Sequence, residues 1–241
     1  MMTTLTLADV AANSLGAIRI LEQHGLDYCC RGKQPFEQAC VAKGLSPDDI
    51  KREIEQAQAA SVTDRDWQAA PLDELVSHIV STHHAYLRIE LPALSKRMEK
   101  VLSVHGARHP QIFPRMAEVF AAFRAELEMH MRKEEKILFP FLEQYGHAET
   151  LNRPMPPVPF GTVANPIAMM EHEHESAGDA LAEIRALTQE FEIPANGCAT
   201  VHALYEGLKA LESDLHVHIH LENNILFPRA IALEGRHAER L

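Results

Sequence analysis

A histidine and a glutamate four residues apart occur twice in this 241-residue chain, each time with the same sequel. His130 and Glu134 are followed by Ile137-Leu138-Phe139-Pro140, and His218 and Glu222 by Ile225-Leu226-Phe227-Pro228, so both stretches read H-x-x-x-E-x-x-I-L-F-P. On a helix, residues four apart share a face, one turn apart. Imidazole and carboxylate are ligands of iron, manganese and zinc. The apolar tail is expected to bury that same face, and the Pro to limit how far the helix runs undisturbed. One H-x-x-x-E is a weak signal; a duplicated one with a duplicated tail points to metal.

The flanking periodicity says which side chains turn inward. Phe120, Phe123, Leu127, His130, Glu134, Ile137 and Phe141 fall on one stripe at spacings of three and four. Leu208, Leu211, Leu215, His218, Glu222 and Ile225 do the same. His216 and His220 fall on the far side of that helix and are expected to be solvated. Upstream of each pair lies a lone histidine on an apolar stripe. His84 sits among Val76, Val80, Leu87, Leu91 and Leu94, and His174 among Ile167, Met170, Leu181 and Ile184. His83 shares its stripe with Tyr86 and Glu90, and His172 lies off the His174 stripe, so His84 and His174 are the inward choices. Each half of the chain therefore offers one lone inward His and one inward His-Glu pair. Two buried carboxylates are costly without cations. Four His and two Glu form a set that two metal ions, bridged by the carboxylates, would neutralise. Six nitrogen-rich ligands for two ions leave positions open to small molecules, which suits iron best and leaves manganese open. Zinc favours fewer ligands and tetrahedral closure.

Helices must hold these residues. Residues 72 to 230 read as four long amphipathic helices, over about 72–101, 115–144, 165–190 and 199–227, with no strand pattern. The order of their connections, short, long, short, describes a four-helix bundle of two helical hairpins, whose core is a natural place for a metal. Residues 1–60 read as a small helical domain. In it Gly25 closes a helix, another starts near Pro35, and Ser46-Pro47-Asp48-Asp49 caps and opens a third. Residues 61–71 form a polar linker with the only Trp, Trp67, expected to pack against something. The bundle domain is taken as 72–235, and Arg236 to Leu241 are expected to fray. The fold class is all-α.

Composition narrows the partners. The chain is 46% hydrophobic and 24% charged, ordinary for a globular protein. A formal net charge of -11 excludes nucleic acid as the expected partner, since phosphate binding needs a basic face. No apolar run reaches the length of a membrane span, and the start lacks the basic and apolar regions of a signal peptide. Fifteen histidines make metal the first hypothesis. Cys29, Cys30, Cys40 and Cys198 do not suit a disulfide framework in a chain this long. The expected setting is cytoplasmic; the oligomeric state, homodimer included, is left open.

The vicinal thiols lie in Asp27-Tyr28-Cys29-Cys30-Arg31-Gly32-Lys33. Adjacent Cys rarely pair with each other, because the intervening peptide must distort. Arg31 and Lys33 are expected to lower a thiol pKa, making a thiolate available as nucleophile or iron ligand. Cys40 and Cys198 lie on apolar stretches and read as structural. Glu126 and Glu173, near the ligand histidines, are candidate hydrogen-bond partners for them.

With these motifs in view, the sequence resembles the hemerythrin-like family, and within it the di-iron proteins that repair iron–sulfur clusters (the RIC family). The resemblance covers nearly the whole chain, through the 27–33 stretch, His130 to Pro140, Met170 to Gly178 and His218 to Pro228. It implies a hemerythrin-like four-helix bundle preceded by a small helical N-terminal domain. It also implies two iron ions, as an oxo-bridged di-iron centre, on His84, His130, Glu134, His174, His218 and Glu222, with the two Glu bridging. The last helix carries H-x-x-x-E where the oxygen-carrying hemerythrins have a different ligand set, which counts against an oxygen carrier. The implied function is repair of iron–sulfur clusters damaged by oxidative and nitrosative stress, by supplying iron, by reacting with nitric oxide at the di-iron centre, or both. The implied partners are damaged iron–sulfur proteins, with nitric oxide or oxygen species as small ligands. Alternatives are a hemerythrin-like sensor of oxygen, peroxide or nitric oxide, a nitric oxide reductase, and a purely structural metal bundle. Cys29 and Cys30 are the candidate redox or transfer thiols.

Overall fold

The computed structural model describes residues 5–12, 15–60 and 65–238. The expectations for the chain start, for residues 61–64 of the linker and for fraying over 239–241 lie outside the described residues. Apart from one isolated bridge between Thr6 and Pro35, every regular element among the described residues is a helix. None of those helices is long and apolar enough to cross a membrane.

Four short helices come first: α1 (Leu7–Ala11), α2 (Leu15–Gln23), α3 (Phe36–Ala42) and α4 (Pro47–Ala60). Their ends follow the local sequence. Thr6 and Asp9 close a reciprocal capping box on α1. Gly25, at φ +62°, ends the chain path of α2: its N–H reaches Glu22 O and the Leu26 N–H reaches Leu21 O. Pro35 stands at the N-cap of α3, and Ser46 Oγ accepts from the Asp49 N–H at 3.4 Å at the start of α4.

The long helices follow as α5 (Leu72–Ile79) and α6 (Ala85–His105), α7 (Phe113–Lys133) and α8 (Phe139–Thr150), α9 (Ala164–Leu187), and α10 (Ala199–His220) and α11 (Phe227–Ala238). All but α9 are joined in pairs by a π turn: Val80–His84, Glu134–Leu138 and Leu221–Leu226. The backbone bonds of these turns skip an extra residue. Ala85 N–H reaches Val80 O, Phe139 N–H reaches Glu134 O, and Phe227 N–H reaches Glu222 O. Pro140 and Pro228 come just after, at the start of the resumed α-helix, where a missing N–H is tolerated.

The chain divides into two compact units. One holds Met1–Ser77, Phe141–Ala164 and His216–Leu241; the other holds His78–Pro140 and Asn165–Leu215. In the first, Phe36, Ile50, Leu72, Tyr145, Leu226 and Phe227 are fully buried. Arg229 there donates to the carbonyls of Trp67 and Ala70 at 2.8 and 2.6 Å, so the Trp67 segment is tied down as expected. Tyr145 OH donates to Glu234, which also accepts from the Val163 N–H. In the second, α6 packs on α7, and Leu87, Leu91, Leu94, Phe113, Phe120, Leu204 and Leu211 are buried.

The π turns correct the stripes. Beyond Glu134 the buried positions are Leu138, Phe139 and Leu142, whereas Ile137 is 50% exposed and Phe141 half-buried. Before His84 it is Ile79, not Val80, that is fully buried. An unbroken 3.6-residue period misplaces side chains across a turn that holds one residue more.

Candidate metal centre

His84 is the last residue of the first π turn, and Glu134 opens the second. His84, Glu134 and His174 are no more than 1% exposed and His130 is 2% exposed. Glu134 Oε2 lies 3.4 Å from His84 Nε2 and 3.3 Å from His130 Nε2. His174 Nε2 stands 3.0 Å from His130 Nε2. One ligand atom each from His130, Glu134 and His174 lie within 4.8 Å of one another. In the other unit His218 and Glu222 are both buried, and His218 Nε2 is 3.0 Å from Glu222 Oε1. Glu222 lies in the third π turn. All three π turns thus carry one of the six sequence-predicted residues.

The far sides of the imidazoles decide what the near sides offer. His130 Nδ1–H donates to Glu173 Oε2 at 2.9 Å, and Lys133 holds the other oxygen of that carboxylate. Partial burial pushes the Glu173 carboxyl up, but hydrogen bonds from Lys133 and His130 outweigh it and hold it below the usual range. His84 Nδ1–H donates to Glu135 Oε1 at 2.7 Å, and Arg88 holds the same oxygen. A carboxylate on Nδ1 fixes the proton there and leaves a lone pair on Nε2. The Nε2 lone pairs of His84 and His130 then face a buried carboxylate, and that of His130 faces a second imidazole nitrogen. Lone pairs converging in a dry site need a cation between them, so the donor set fits a metal.

Of the two candidate partners, Glu173 serves His130, on another helix than its own, whereas Glu126 is exposed and bonds none of these histidines among the described residues. Glu135 is a partner that the sequence did not reveal, because on a regular helix it points about 100° away from Glu134. His83 is also buried, at 5% exposure, and its Nδ1 lies 2.9 Å from Asp214. His172 is solvated, as expected.

His220 corrects the sequence reading: it is 1% exposed rather than solvated. Tyr28 packs edge-on against it with ring centroids 5.5 Å apart, and Asn224 Nδ2 donates to both His220 Nδ1 and Tyr28 O at 2.9 Å. Burial pushes this imidazole down to about 4. His216 is half-buried, with Nδ1 3.7 Å from Glu22. Periodicity placed these two on the far face correctly; what it lacked was that residues near Tyr28 cover that face. Gly32 belongs to the same contact, since a Cβ there would lie 2.9 Å from Asn224 Oδ1 and 2.6 Å from Tyr28 O.

The cysteines also differ from expectation. Cys29 is buried and Cys30 half-buried, with sulfurs 3.8 Å apart, and none of the four cysteines is in a disulfide. Asp27 Oδ1 accepts from the N–H groups of Cys29, Cys30 and Arg31 and from the Cys29 thiol. The hydrogen bond with Cys30, burial and the Asp27 charge push the Cys29 thiol up, opposite to the lowering expected from Arg31 and Lys33. Asp27, Cys29 and Cys30 still bring three donor atoms within 4.8 Å of one another. Cys40 is buried, as a structural thiol should be, but Cys198 is exposed.

Residues 75–230 match the hemerythrin HHE cation binding domain, which places the chain in the hemerythrin class. Residues 3–58 match a second family, ScdA_N, a domain of unknown function (DUF542). The fold is accordingly all-α, a hemerythrin-like helical bundle preceded by a small helical N-terminal domain. The iron–sulfur cluster repair protein YtfE of Edwardsiella ictaluri is 38% identical over 226 residues, covering 93% of this chain and 96% of its own. The YtfE proteins of Dickeya chrysanthemi and Cronobacter sakazakii are each 37% identical, covering 94% and 95% of this chain and 96% of their own. The chain belongs to the YtfE family of iron–sulfur cluster repair proteins.

Proposed function

We propose that His84, His130, Glu134, His174, His218 and Glu222 hold two iron ions, with Glu134 and Glu222 as bridging ligands, and that the protein repairs iron–sulfur clusters damaged by oxidative and nitrosative stress. The observation that carries this reading is the set of imidazole Nε2 atoms closing on buried Glu134 while outer carboxylates fix the Nδ1 protons of His84 and His130. All six positions lie within the span that matches a cation binding domain. Repair as the task rests on the relatives' name. Bound iron would supply one-electron chemistry and open positions for a ligand such as nitric oxide. The chain's own contribution is to orient the imidazoles: Glu173 with Lys133, and Glu135 with Arg88, hold the protons away from the metal side. Damaged iron–sulfur proteins of the cytoplasm are the partners, and iron passed to them is cargo. The Cys29-Cys30 loop is the element we assign to that transfer.

The test is to load the protein with iron without oxygen, measure iron per chain, and mix it with a nitric-oxide-treated cluster enzyme such as an aconitase. Close to two irons per chain and recovery of activity above that given by free ferrous iron are expected. The Cys29→Ser, Cys30→Ser double variant should keep its iron spectrum and fail in recovery. Zinc in place of iron, or recovery no better than free iron, would reject the proposal.

A further inference from the structure

Cys198 is not among the residues of the candidate metal centre or of the Cys29-Cys30 loop. The turn closed by the Gly197 N–H on Pro194 O at 2.7 Å delivers it to the start of α10, with its side chain exposed. Behind it stands His105, the last residue of α6 and only 5% exposed. His105 Nε2 is 3.2 Å from Cys198 Sγ. Among the described residues that sulfur is the one hydrogen-bonding partner of the imidazole, whose other ring contact is Phe113, tilted at 54° with centroids 6.1 Å apart. An imidazole buried beside an exposed sulfur, and aimed at it, is the pairing that activates thiols in general.

We propose that Cys198, backed by His105, is a thiol modification site that takes low-molecular-weight disulfides and forms a mixed disulfide at the protein surface. The Cys198 thiolate attacks one sulfur of the small disulfide. A bond from Sγ to that sulfur forms as the disulfide bond breaks, and the departing thiolate takes a proton from water. Cys198 is oxidised, and one sulfur of the small molecule is reduced. The Nε2–H tautomer of His105 donates to Sγ and so favours its ionised form. The hydrogen bond from His105, with further ones from the backbone at Val201 and Thr200, pulls this thiol down to about 6. A thiol with a pKa near ambient pH is the one best suited to disulfide exchange. Two of the other three cysteines are poorer targets: Cys40 is fully buried, and Cys29 is buried and held protonated.

The test uses the full-length protein and glutathione disulfide as probe, with peptide mass spectrometry to locate the adduct. Cys198 should carry the mixed disulfide before Cys29, Cys30 or Cys40. The rate of its alkylation by iodoacetamide should rise with pH around a midpoint near 6. His105→Gln, checked for unchanged helicity, should move that midpoint up by about one pH unit or more, which slows the reaction near pH 6 roughly fivefold or more. A wild-type midpoint in the ordinary thiol range, about 8.5, overturns the proposal without any variant. So does an adduct spread over the cysteines without preference, or a midpoint that His105→Gln leaves in place.

Discussion

Glu134 and Asp27 each gather titratable side chains around a carboxylate, and the two clusters are built for opposite ends. Around Glu134, at 0% exposure, imidazole nitrogens approach to 3.3 and 3.4 Å, each turned by a second carboxylate or held in a packed helix face. Around half-buried Asp27, one oxygen collects three backbone N–H groups and a thiol. The first arrangement leaves lone pairs aimed at a common point. The second spends its acceptor on the loop's own donors and stabilises a local conformation. The sign of the charge is the same in both; what differs is whether the neighbours bring protons or lone pairs.

Removing each carboxylate in turn should separate the two roles. Glu134→Ala or Glu222→Ala should weaken metal binding by more than about 100-fold, beyond the range seen when only an outer hydrogen-bond partner is lost. The coupled-iron spectrum should vanish in both, while Asp27→Ala leaves metal content unchanged. Two metals retained in either Glu variant would abolish the distinction. A smaller effect, about 10–100-fold in metal affinity with helicity intact, is expected for Glu173→Gln and Glu135→Gln, because each releases an imidazole proton that it now holds. Competition with a chelator of known affinity measures it; no change would mean that the outer carboxylates merely solvate the surface.

The smallest effect belongs to Asp27→Asn. The folded-state pKa of Cys29 is raised, with Cys30 the first cause, burial the second and Asp27 a lesser one. A raised folded value means that its contribution to stability is full below the unfolded thiol value, about 8.5, and is lost as pH rises through the folded value. Melting temperature should therefore fall above about pH 8.5 in the wild type, and fall less in Asp27→Asn, with Cys29 alkylated at lower pH. An identical pH profile in both would show that Asp27 does not govern the thiol.

How much of this could be read from residue order varies with how far a side chain's neighbours lie along the chain. That His84, His130, Glu134, His174, His218 and Glu222 turn inward followed from periodicity, because each lies on a stripe of its own helix. The helix starts at Pro35 and Ser46 were legible because capping is local. Ile137 and Phe141 were misplaced because nothing in a 3.6-residue count announces a π turn. His220 and Cys198 were misread because their surroundings, Tyr28 and His105, come from distant sequence. The Cys29 thiol was misjudged because only Arg31 and Lys33, near in sequence, were counted, whereas the hydrogen bond with Cys30, burial and, to a lesser degree, Asp27 set its surroundings.

The three π turns have a consequence for length. Each of the three runs that hold a π turn is two α-helices out of phase in residue count, and the step between them falls at His84, Glu134 or Glu222. Deleting one residue from such a turn would let the helix close into an unbroken α spiral with better backbone geometry. The positions beyond would keep their face, since the extra residue is what sets the two halves one position apart in a 3.6-residue count, so Phe139 and Leu142, or Phe227 and Ala230, would stay buried. What would be lost is local: the widened turn in which Glu134 or Glu222 sits. A deletion in the regular helix on either side would instead rotate everything beyond it by about 100°. These stretches should therefore bear the loss of one residue better inside a π turn than next to it.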